Sequence, residues 1–282
     1  MFILASGQGS PLDVAFDGQR AFWTVYGGPV ASASLCGGAV TTIANEPATS
    51  IALDDTNVYW ILDSSQTMEL RRAPRDGGAA TTLATSPLPD SLTNLVVDGD
   101  DIYYGSPSGV ARVPKTGGPT AELLETTYAV EWALAVDATS IYFGSGTNGL
   151  MVMPKAGGTP TSLAPPIGPA IGSIVTDDDN VYFATTSSES VSNVDDWVIV
   201  SVPKAGGDAT ILVSDQPPVN MQMVLDLGFL KWTNVNMALE SMPTSGGGPS
   251  QIASTAGSGL AAHDGTLVWS GYADGTIRVF AP

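Results

Sequence analysis

The chain of 282 residues is poor in cysteine, histidine and basic side chains. Its one Cys excludes an intrachain disulfide and a cysteine-based zinc site, and its one His excludes a histidine-rich metal cage. No apolar run approaches the roughly 20 residues that a helix needs to cross a bilayer, so membrane insertion is not expected. Lys and Arg number 10 against 28 Asp and Glu, which gives a net charge of −18. This charge argues against nucleic acid as a partner, because binding to phosphates requires a basic patch.

Glycine and proline are abundant instead, with 32 and 20 residues. Hydrophobic residues still make up 43% of the chain, which is enough to bury a sizeable core. The chain is therefore not disordered. Frequent Gly and Pro in a chain with a core indicate many turns between short strands.

A Gly-Gly pair recurs at intervals of 40, 40, 40, 49 and 40 residues. A proline and a basic residue precede most of these pairs: Pro74-Arg75, Pro114-Lys115, Pro154-Lys155 and Pro203-Lys204. A second signature is an apolar run, an acidic residue, a short turn and then an aromatic pair, as in Asp54 followed by Tyr59-Trp60. It occurs seven times, starting from Asp17, Asp54, Asp98, Asp137 and Asp177 and, in weaker copies, from Asp226, which is followed by Lys231-Trp232, and from His263.

Each repeat divides into four short segments rich in β-formers and separated by Gly, Asp or Pro turns. Four strands in a repeat of about 40 residues are typical of a β-propeller. The seventh copy stops after its third strand, and residues 1–6 resemble the missing fourth strand. We therefore predict an all-β, seven-bladed propeller with four antiparallel strands per blade. Residues 1–282 form one domain, and strand 1–6 completes the last blade, 257–282, which closes the ring and removes open sheet edges.

The strand containing Asp54 and Tyr59-Trp60, together with segments such as Val113-Pro114-Lys115-Thr116-Gly117-Gly118, resembles the repeats of secreted bacterial propellers. These propellers are related to the YWTD, NHL and TolB-like groups and share the WD40-like architecture. The resemblance covers the whole chain and implies a secreted protein or one of the bacterial envelope. No signal peptide is visible before the first strand, so we expect a mature form from which it was removed. The strong acidity would favour solubility there. The resemblance does not imply one activity, because such propellers serve as enzymes, receptors and scaffolds.

Comparison of the seven copies separates two faces of the predicted ring. The constant face carries the turns between strands one and two and between strands three and four, which are nearly invariant. We expect the repeat Asp to cap the first turn and the turn Lys to offset nearby Asp charge. Weak calcium binding by the Asp clusters is the alternative. The variable face carries the other two sets of connections, which differ in every repeat and include an insertion at 186–197. Variable loops on a constant scaffold indicate a recognition surface.

The innermost strands supply a row of residues four positions before the repeat Asp or His: Asp13, Ser50, Asn94, Ala133, Ser173, Gln222 and Gly259. Two residues later come small apolar side chains, Ala15, Ala52, Val96, Ala135, Val175, Val224 and Ala261. Both rows share one direction because side chains alternate along a strand. If they point to the axis, the channel has a polar mouth on the variable face and an apolar throat. Asp13, Asn94 and Gln222 are then its candidate ligand-binding groups, unless they bond to backbone amides and water.

Five aromatic residues fall in or beside the predicted variable loops: Tyr26, Tyr128, Trp132, Trp197 and Tyr272. With the acidic Glu131, they could bind a sugar or peptide through apolar ring faces and polar groups that orient the ligand. Some of these rings must also cover the ends of the blades. We expect part of the set to contact a ligand.

Catalysis has few candidate groups. His263 takes the place of a turn Asp on the constant face, so no histidine is available for a Ser-His-Asp site. The architecture resembles that of virginiamycin B lyase, whose family uses a histidine and a magnesium site at the channel. We therefore predict a non-catalytic, monomeric recognition propeller for a glycan, peptide or protein, with no required cofactor. The alternative is a lyase or hydrolase assisted by calcium or magnesium, with carboxylates such as Asp13, Asp90 and Glu131 at the channel mouth. A pure scaffold is a third possibility.

Overall fold

The computed structural model describes the chain except for residues 64–66, 88–92, 107–108, 126–132, 146–147, 169, 188–196, 217–218 and 282. The described residues form 28 strands in seven antiparallel sheets of four. Blades 1 to 3 contain β2 (Pro11–Phe16), β3 (Arg20–Val25), β4 (Val30–Ser34), β5 (Thr41–Ala44); β6 (Ala48–Leu53), β7 (Asn57–Asp63), β8 (Thr67–Pro74), β9 (Thr81–Pro87); β10 (Thr93–Asp98), β11 (Asp101–Ser106), β12 (Gly109–Pro114) and β13 (Ala121–Glu125).

Blades 4 to 6 contain β14 (Leu134–Val136), β15 (Ser140–Ser145), β16 (Gly149–Pro154), β17 (Thr161–Ala164); β18 (Ile171–Thr176), β19 (Asn180–Thr186), β20 (Trp197–Pro203), β21 (Thr210–Gln216); β22 (Val219–Asp226), β23 (Phe229–Asn234), β24 (Leu239–Pro243) and β25 (Ser250–Ala253). Blade 7 combines both ends of the chain, with β26 (Leu260–His263), β27 (Thr266–Gly271), β28 (Thr276–Phe280) and β1 (Phe2–Ala5). In that sheet Phe2 lies opposite Val279, and β26 contacts β2 of the first blade. The predicted seven-bladed propeller, closed by the N-terminal strand, is confirmed.

The aromatic pair on the second strand of a blade fills the two neighbouring blade junctions. In blade 2, Tyr59 packs in the core shared with blade 3, whereas Trp60 packs in the core shared with blade 1. This division follows from strand geometry, because successive side chains point to opposite faces of a sheet. Each of the seven apolar clusters of buried side chains lies at one junction between adjacent blades. The hydrophobic core of the protein is thus divided among the junctions.

The repeat Asp caps the turn that joins the first two strands of its blade. In blade 2, Oδ1 of Asp54 accepts hydrogen bonds from the backbone N–H groups of Thr56 (2.9 Å) and Asn57 (2.8 Å). The same geometry recurs at Asp17, Asp137 and Asp177. The expected capping role is confirmed, and it explains why these turns vary so little among the repeats.

The basic residue of the Pro-Lys turn binds the repeat Asp of the preceding blade. Lys115 Nζ of blade 3 lies 2.6 Å from Asp54 Oδ2 of blade 2, and the Tyr59 hydroxyl donates to the same oxygen at 2.9 Å. Equivalent inter-blade ion pairs join the first five blades: Arg75 with Asp17, Lys155 with Asp98, and Lys204 with Asp137. The turn cation therefore does more than offset local charge, because it links adjacent blades.

The three remaining junctions depart from this pattern. Thr244 stands where blade 6 should supply a cation to Asp177. At the junction of blades 6 and 7, Asp226 pairs at 2.5 Å with Lys231 of its own blade, which replaces the first aromatic residue of the pair. At the closing junction His263 replaces the Asp, and its ring meets Phe16 edge-on with centroids 6.2 Å apart. The inter-blade ion pairs thus cover the first four junctions.

Candidate functional site

The innermost strands surround an axial channel whose polar end lies on the variable face. A cavity of about 160 Å³ opens there. The polar side chains that line it come from five blades: Asp13, Ser50, Asn94, Ser173 and Gln222. The structure therefore brings the three channel residues predicted from the sequence, Asp13, Asn94 and Gln222, to one cavity.

The carboxylate of Asp13 is surrounded by hydrogen-bond donors. Its Oδ2 accepts from the backbone N–H of Ile51 at 3.0 Å and from the Ser50 hydroxyl at 3.3 Å. Its Oδ1 accepts from Gln222 Nε2 at 3.0 Å and from the backbone N–H of Val14 at 2.8 Å. Burial raises the pKa of Asp13, and the donated hydrogen bonds oppose that rise. Four donors match the acceptor capacity of a carboxylate, so these bonds occupy both oxygens.

Side chains in this ring accept hydrogen bonds from the backbone of the next blade. Asp13 of blade 1 accepts from Ile51 of blade 2 (3.0 Å), and Ser173 of blade 5 accepts from the N–H of Met223 of blade 6 at 3.0 Å. Gln222 of blade 6 accepts from the N–H of Leu260 of blade 7. For these three residues, bonding to backbone amides is what the structure shows. Their polarity maintains the ring and is not in itself a sign of ligand binding.

The seventh ring position is Gly259, and the closing junction requires this residue. A Cβ there would lie 2.7 Å from the Leu12 oxygen and 2.9 Å from the Asp13 Cα. Across the same junction, Gln222 of blade 6 reaches past blade 7 and donates to Asp13 of blade 1. Gly259 therefore lets the polar ring close across the two ends of the chain.

The other end of the channel is apolar, as the sequence predicts. A cavity of about 400 Å³ lies there. Its lining includes four of the small apolar residues in the second row: Val96, Ala135, Val175 and Val224. A ligand entering from the variable face would meet hydrogen-bonding groups first and a hydrophobic throat behind them.

Two of the predicted aromatic residues are exposed on the variable face. Tyr26 is 71% exposed in the β3–β4 connection of blade 1, and Tyr272 is 44% exposed in the β27–β28 connection of blade 7. Trp197 is partly buried, because its ring lies so close to Gly172 that a Cβ there would be 2.8 Å from two ring carbons. Much of that indole is therefore engaged within blade 5. Tyr128, Trp132, Glu131 and Asp90 lie outside the described residues.

The sequence reasoning missed an apolar groove between blades 6 and 7. The groove encloses about 230 Å³ and is lined mainly by Met237, Ala256, Tyr272 and Ala273, with Thr255, Gly271 and Asp274. Met237 is 48% exposed, and the neighbouring Val235 is 50% exposed. A signal was present in the sequence, because the connection Val235-Asn236-Met237-Ala238 is more apolar than most others on this face.

In the part of the chain that the structure describes, no group of three or more His, Cys, Asp or Glu side chains could hold a metal ion. His263 lies on the constant face, 3.5 Å from Asp264 Oδ2, and its ring covers Gly18. Within the described ranges, no helix has the length and hydrophobicity needed to span a membrane.

Comparison with known proteins identifies the architecture. No family model matches the chain. No curated protein matches it either. Among solved structures, the computationally designed protein Ika8 aligns with a TM-score of 0.66 and 13% identity, over 99% of this chain and 98% of that one. The β-propeller domain of Myceliophteria thermophila Cps50 (Swd1) aligns with a TM-score of 0.70 and 10% identity, over 96% and 97%. At such low identity these similarities show the propeller fold alone.

Proposed function

We propose that this protein is a non-catalytic recognition propeller that binds its partner on the variable face and at the channel mouth. One observation carries the proposal: on the described part of that face, Tyr26 and Tyr272 expose their rings in two loops, and a polar cavity opens to solvent at the channel mouth of the same face. On the constant face, by contrast, capped turns and inter-blade ion pairs engage the repeat Asp and Lys side chains. Exposed aromatic rings beside hydrogen-bonding groups are a common basis for recognition.

The proposed partner is a glycan, a peptide or a protein, held by a monomeric propeller. Rings such as Tyr26 and Tyr272 would stack on the partner, and the polar groups at the mouth, such as Asn94, would orient it. A secreted or envelope location, in the manner of the YWTD, NHL and TolB-like propellers, belongs to the same proposal. The acidic composition supports that location because a high net charge favours solubility, and a chain with one cysteine is compatible with it.

The proposal needs no metal or cofactor. Asp13, the one carboxylate among the described residues that line the channel mouth, has both oxygens engaged by donors from blades 1, 2 and 6. A metal ion at this position would have to displace these donors, and the ring that joins the inner strands would then lose its bonds. This cost favours binding over the metal-assisted lyase or hydrolase.

The test is a binding screen on the full chain with matched surface variants. The protein is applied to a printed glycan array and used to select from a phage library of short random peptides. Tyr26→Ala and Tyr272→Ala each remove one exposed ring from the variable face. Ile211→Ala is the matched control, because Ile211 is 54% exposed on the outer strand of blade 5.

We expect at least one class of probe to bind and to weaken about tenfold when either Tyr is removed, while Ile211→Ala has no effect. Binding whose affinity is unchanged in both Tyr26→Ala and Tyr272→Ala contradicts the proposal. So does metal-dependent turnover of a glycan or peptide probe that EDTA abolishes, because that result would establish the enzyme alternative.

A further inference from the structure

The groove between blades 6 and 7 is held by hydrogen bonds on both sides. On the blade 6 side, Asn234 Oδ1 accepts from the backbone N–H groups of Asn236 (3.0 Å) and Ala238 (3.1 Å). The carbonyl of Met237 accepts from the N–H of Ala256 at 2.7 Å, which fixes the loop to the 6–7 connection. These bonds give the groove a defined shape before any partner arrives, and a preformed site loses less entropy on binding.

The blade 7 side is equally constrained. Asp274 Oδ1 accepts from the Thr276 hydroxyl at 2.6 Å, and Asp274 Oδ2 pairs with Arg278 at 2.5 Å. Gly257 lies so close to the Tyr272 backbone that a Cβ there would be 2.9 Å from its nitrogen. The exposed Tyr272 ring therefore stands on a rigid loop.

Met237 adopts a backbone conformation that disfavours it. Its φ is 60°, in the left-handed region that costs a residue with a Cβ about 1 to 2 kcal/mol. Glycine would relieve this strain, and a polar residue would suit a site that is 48% exposed. The strained conformation instead presents an apolar side chain at the edge of the groove, which is consistent with a functional role.

The size of the groove selects an occupant. Its volume of about 230 Å³ lies below the roughly 300 to 1,000 Å³ of sites for small molecules and cofactors. It suits one apolar side chain inserted as an anchor from a larger partner. The exposed apolar residues on this face belong to consecutive blades, because Val235 and Met237 are on blade 6, Tyr272 on blade 7 and Tyr26 on blade 1. This row extends the contact surface beyond the groove.

The charge of the variable face indicates which residues flank the apolar anchor in that partner. All ten Lys and Arg residues are described, and they lie in strands or in constant-face turns. Nine form ion pairs, and the tenth, Arg72, donates to the Lys115 carbonyl. By sequence, the variable-face connections contain no Lys, Arg or His and seven acidic residues: Glu46, Asp90, Glu131, Glu189, Asp195, Asp196 and Asp274. Glu46 and Asp274 pair with Arg71 and Arg278, and the other five, which lie outside the described residues, add negative charge to this face by sequence alone. A cationic partner complements this surface, and an anionic one is repelled.

We propose that the groove of Met237 and Tyr272 binds a peptide segment of a partner protein that inserts one large apolar side chain flanked by Lys or Arg. This inference rests on the proposed recognition function and specifies its partner. Val235 and the Tyr26 ring would contact residues on either side of the anchor. Electrostatic attraction to the acidic face would accelerate the encounter, and the anchor would supply most of the affinity.

Selection with the phage library of short random peptides tests the inference on the full chain. We expect the enriched peptides to share one Leu, Met, Phe or Trp next to basic residues. Binding of a synthetic consensus peptide is then measured by calorimetry, with Met237→Gly, Tyr272→Ala and the control Ile211→Ala. Met237→Gly removes the groove wall while relieving its backbone strain, so a loss of binding is not a loss of folding; its melting temperature should equal or exceed that of the wild type. Both groove variants should weaken binding about tenfold, and added salt should weaken it further.

Other outcomes overturn the inference and separate it from the proposed function. Enriched peptides that are acidic, or that lack an apolar anchor, contradict the partner class. Glycan or peptide binding that is lost with Tyr26→Ala but survives both groove variants would leave recognition on this face intact and refute the groove. Peptide binding whose affinity is unchanged in all three variable-face variants refutes both the binding role of the groove and the proposed function. No peptide enrichment, with glycans bound through Tyr26 and Tyr272, would assign the site to a glycan instead.

Discussion

The inter-blade ion pairs predict a measurable share of the stability of the ring, and the pair of Lys115 with Asp54 is the best place to test it. Its side chains are 21% and 18% exposed, so solvent screens the charges incompletely. Lys115→Met keeps most of the aliphatic stem and removes the charge. Asp54 then loses its cation but keeps two amide bonds and the Tyr59 hydroxyl. The expected loss is about 2 to 3 kcal/mol, below that for breaking a fully buried pair.

For a chain of this length, an unfolding entropy of about 2.1 cal/mol/K per residue converts that loss to a melting temperature lower by about 3 to 5 °C. Calorimetry or circular dichroism measures the change. Thr116→Met is the control, because it introduces the same side chain at the next, exposed position of the turn and leaves the ion pair intact. The reverse change is Thr244→Lys, which supplies the cation that Asp177 lacks. It should add about 1 kcal/mol, or about 2 °C.

The pH dependence identifies the charge as the cause. Although burial alone would raise it, the hydrogen bonds from Lys115, the turn amides and Tyr59 hold the pKa of Asp54 well below its ordinary value. A depressed carboxyl pKa stabilises the folded state above the unfolded pKa, and this contribution is lost as pH falls through the folded pKa. The difference between wild type and Lys115→Met should therefore shrink as pH falls from about 5 toward 2. An equal difference at pH 7 and at low pH, or no gain from Thr244→Lys, would refute the reasoning.

Three further predictions follow from the same contacts. Gly259→Ala should destabilise the protein by about 2 to 3 kcal/mol, because its Cβ would meet the backbone of blade 1 at 2.7 Å, whereas Gly248→Ala, with nothing within 4 Å, should be nearly neutral in the same melts. Burial and a hydrogen bond to a carboxylate raise the pKa of Tyr142 to about 12. The stabilisation of the folded state by the Tyr142 hydroxyl is complete below pH 10 and is lost as pH rises through 12. Tyr142→Phe should therefore make the free energy of unfolding less dependent on pH between those values. Tyrosinate absorbance and circular dichroism follow the change. Asp13→Ala should cost about 2 to 4 kcal/mol equally in EDTA, calcium and magnesium, because it leaves backbone amides unbonded; a loss seen only with metal would contradict this.

The sequence was sufficient for the blades and for the local turns. Asp54 and its equivalents cap turns through residues two and three positions away, so comparison of the copies was enough to interpret them. The partner of Lys115 was not accessible in this way. It is an Asp 61 positions earlier in the chain, and aligning repeats compares equivalent residues without indicating which blades exchange side chains. The same limit explains why Lys231 was recognised only as a weak copy of an aromatic residue.

The candidate site was less predictable than the fold. The row of Asp13, Asn94 and Gln222 follows from strand alternation, and the structure brings all three to one cavity. Whether a polar side chain there faces a ligand or bonds to the next blade depends on the spacing between inner strands, which no repeat pattern specifies. The groove depends on the left-handed backbone of Met237, and nothing in a methionine predicts that conformation.

The closing strand β1 has a consequence for cooperativity. In linear repeat proteins each internal unit has two stabilising neighbours and each terminal unit has one, so unfolding starts by fraying at the ends. Pairing of Phe2 with Val279 makes this array circular, and every blade then has two neighbours. No blade can unfold without disrupting two apolar junctions at once. Detachment of β1 would create two ends where there were none. The closing junction beside it has no inter-blade ion pair among the described residues, and on its constant face His263 packs against Phe16 instead. We therefore expect amide hydrogen exchange in this ring to begin at β1 and β28 and to spread from there in both directions.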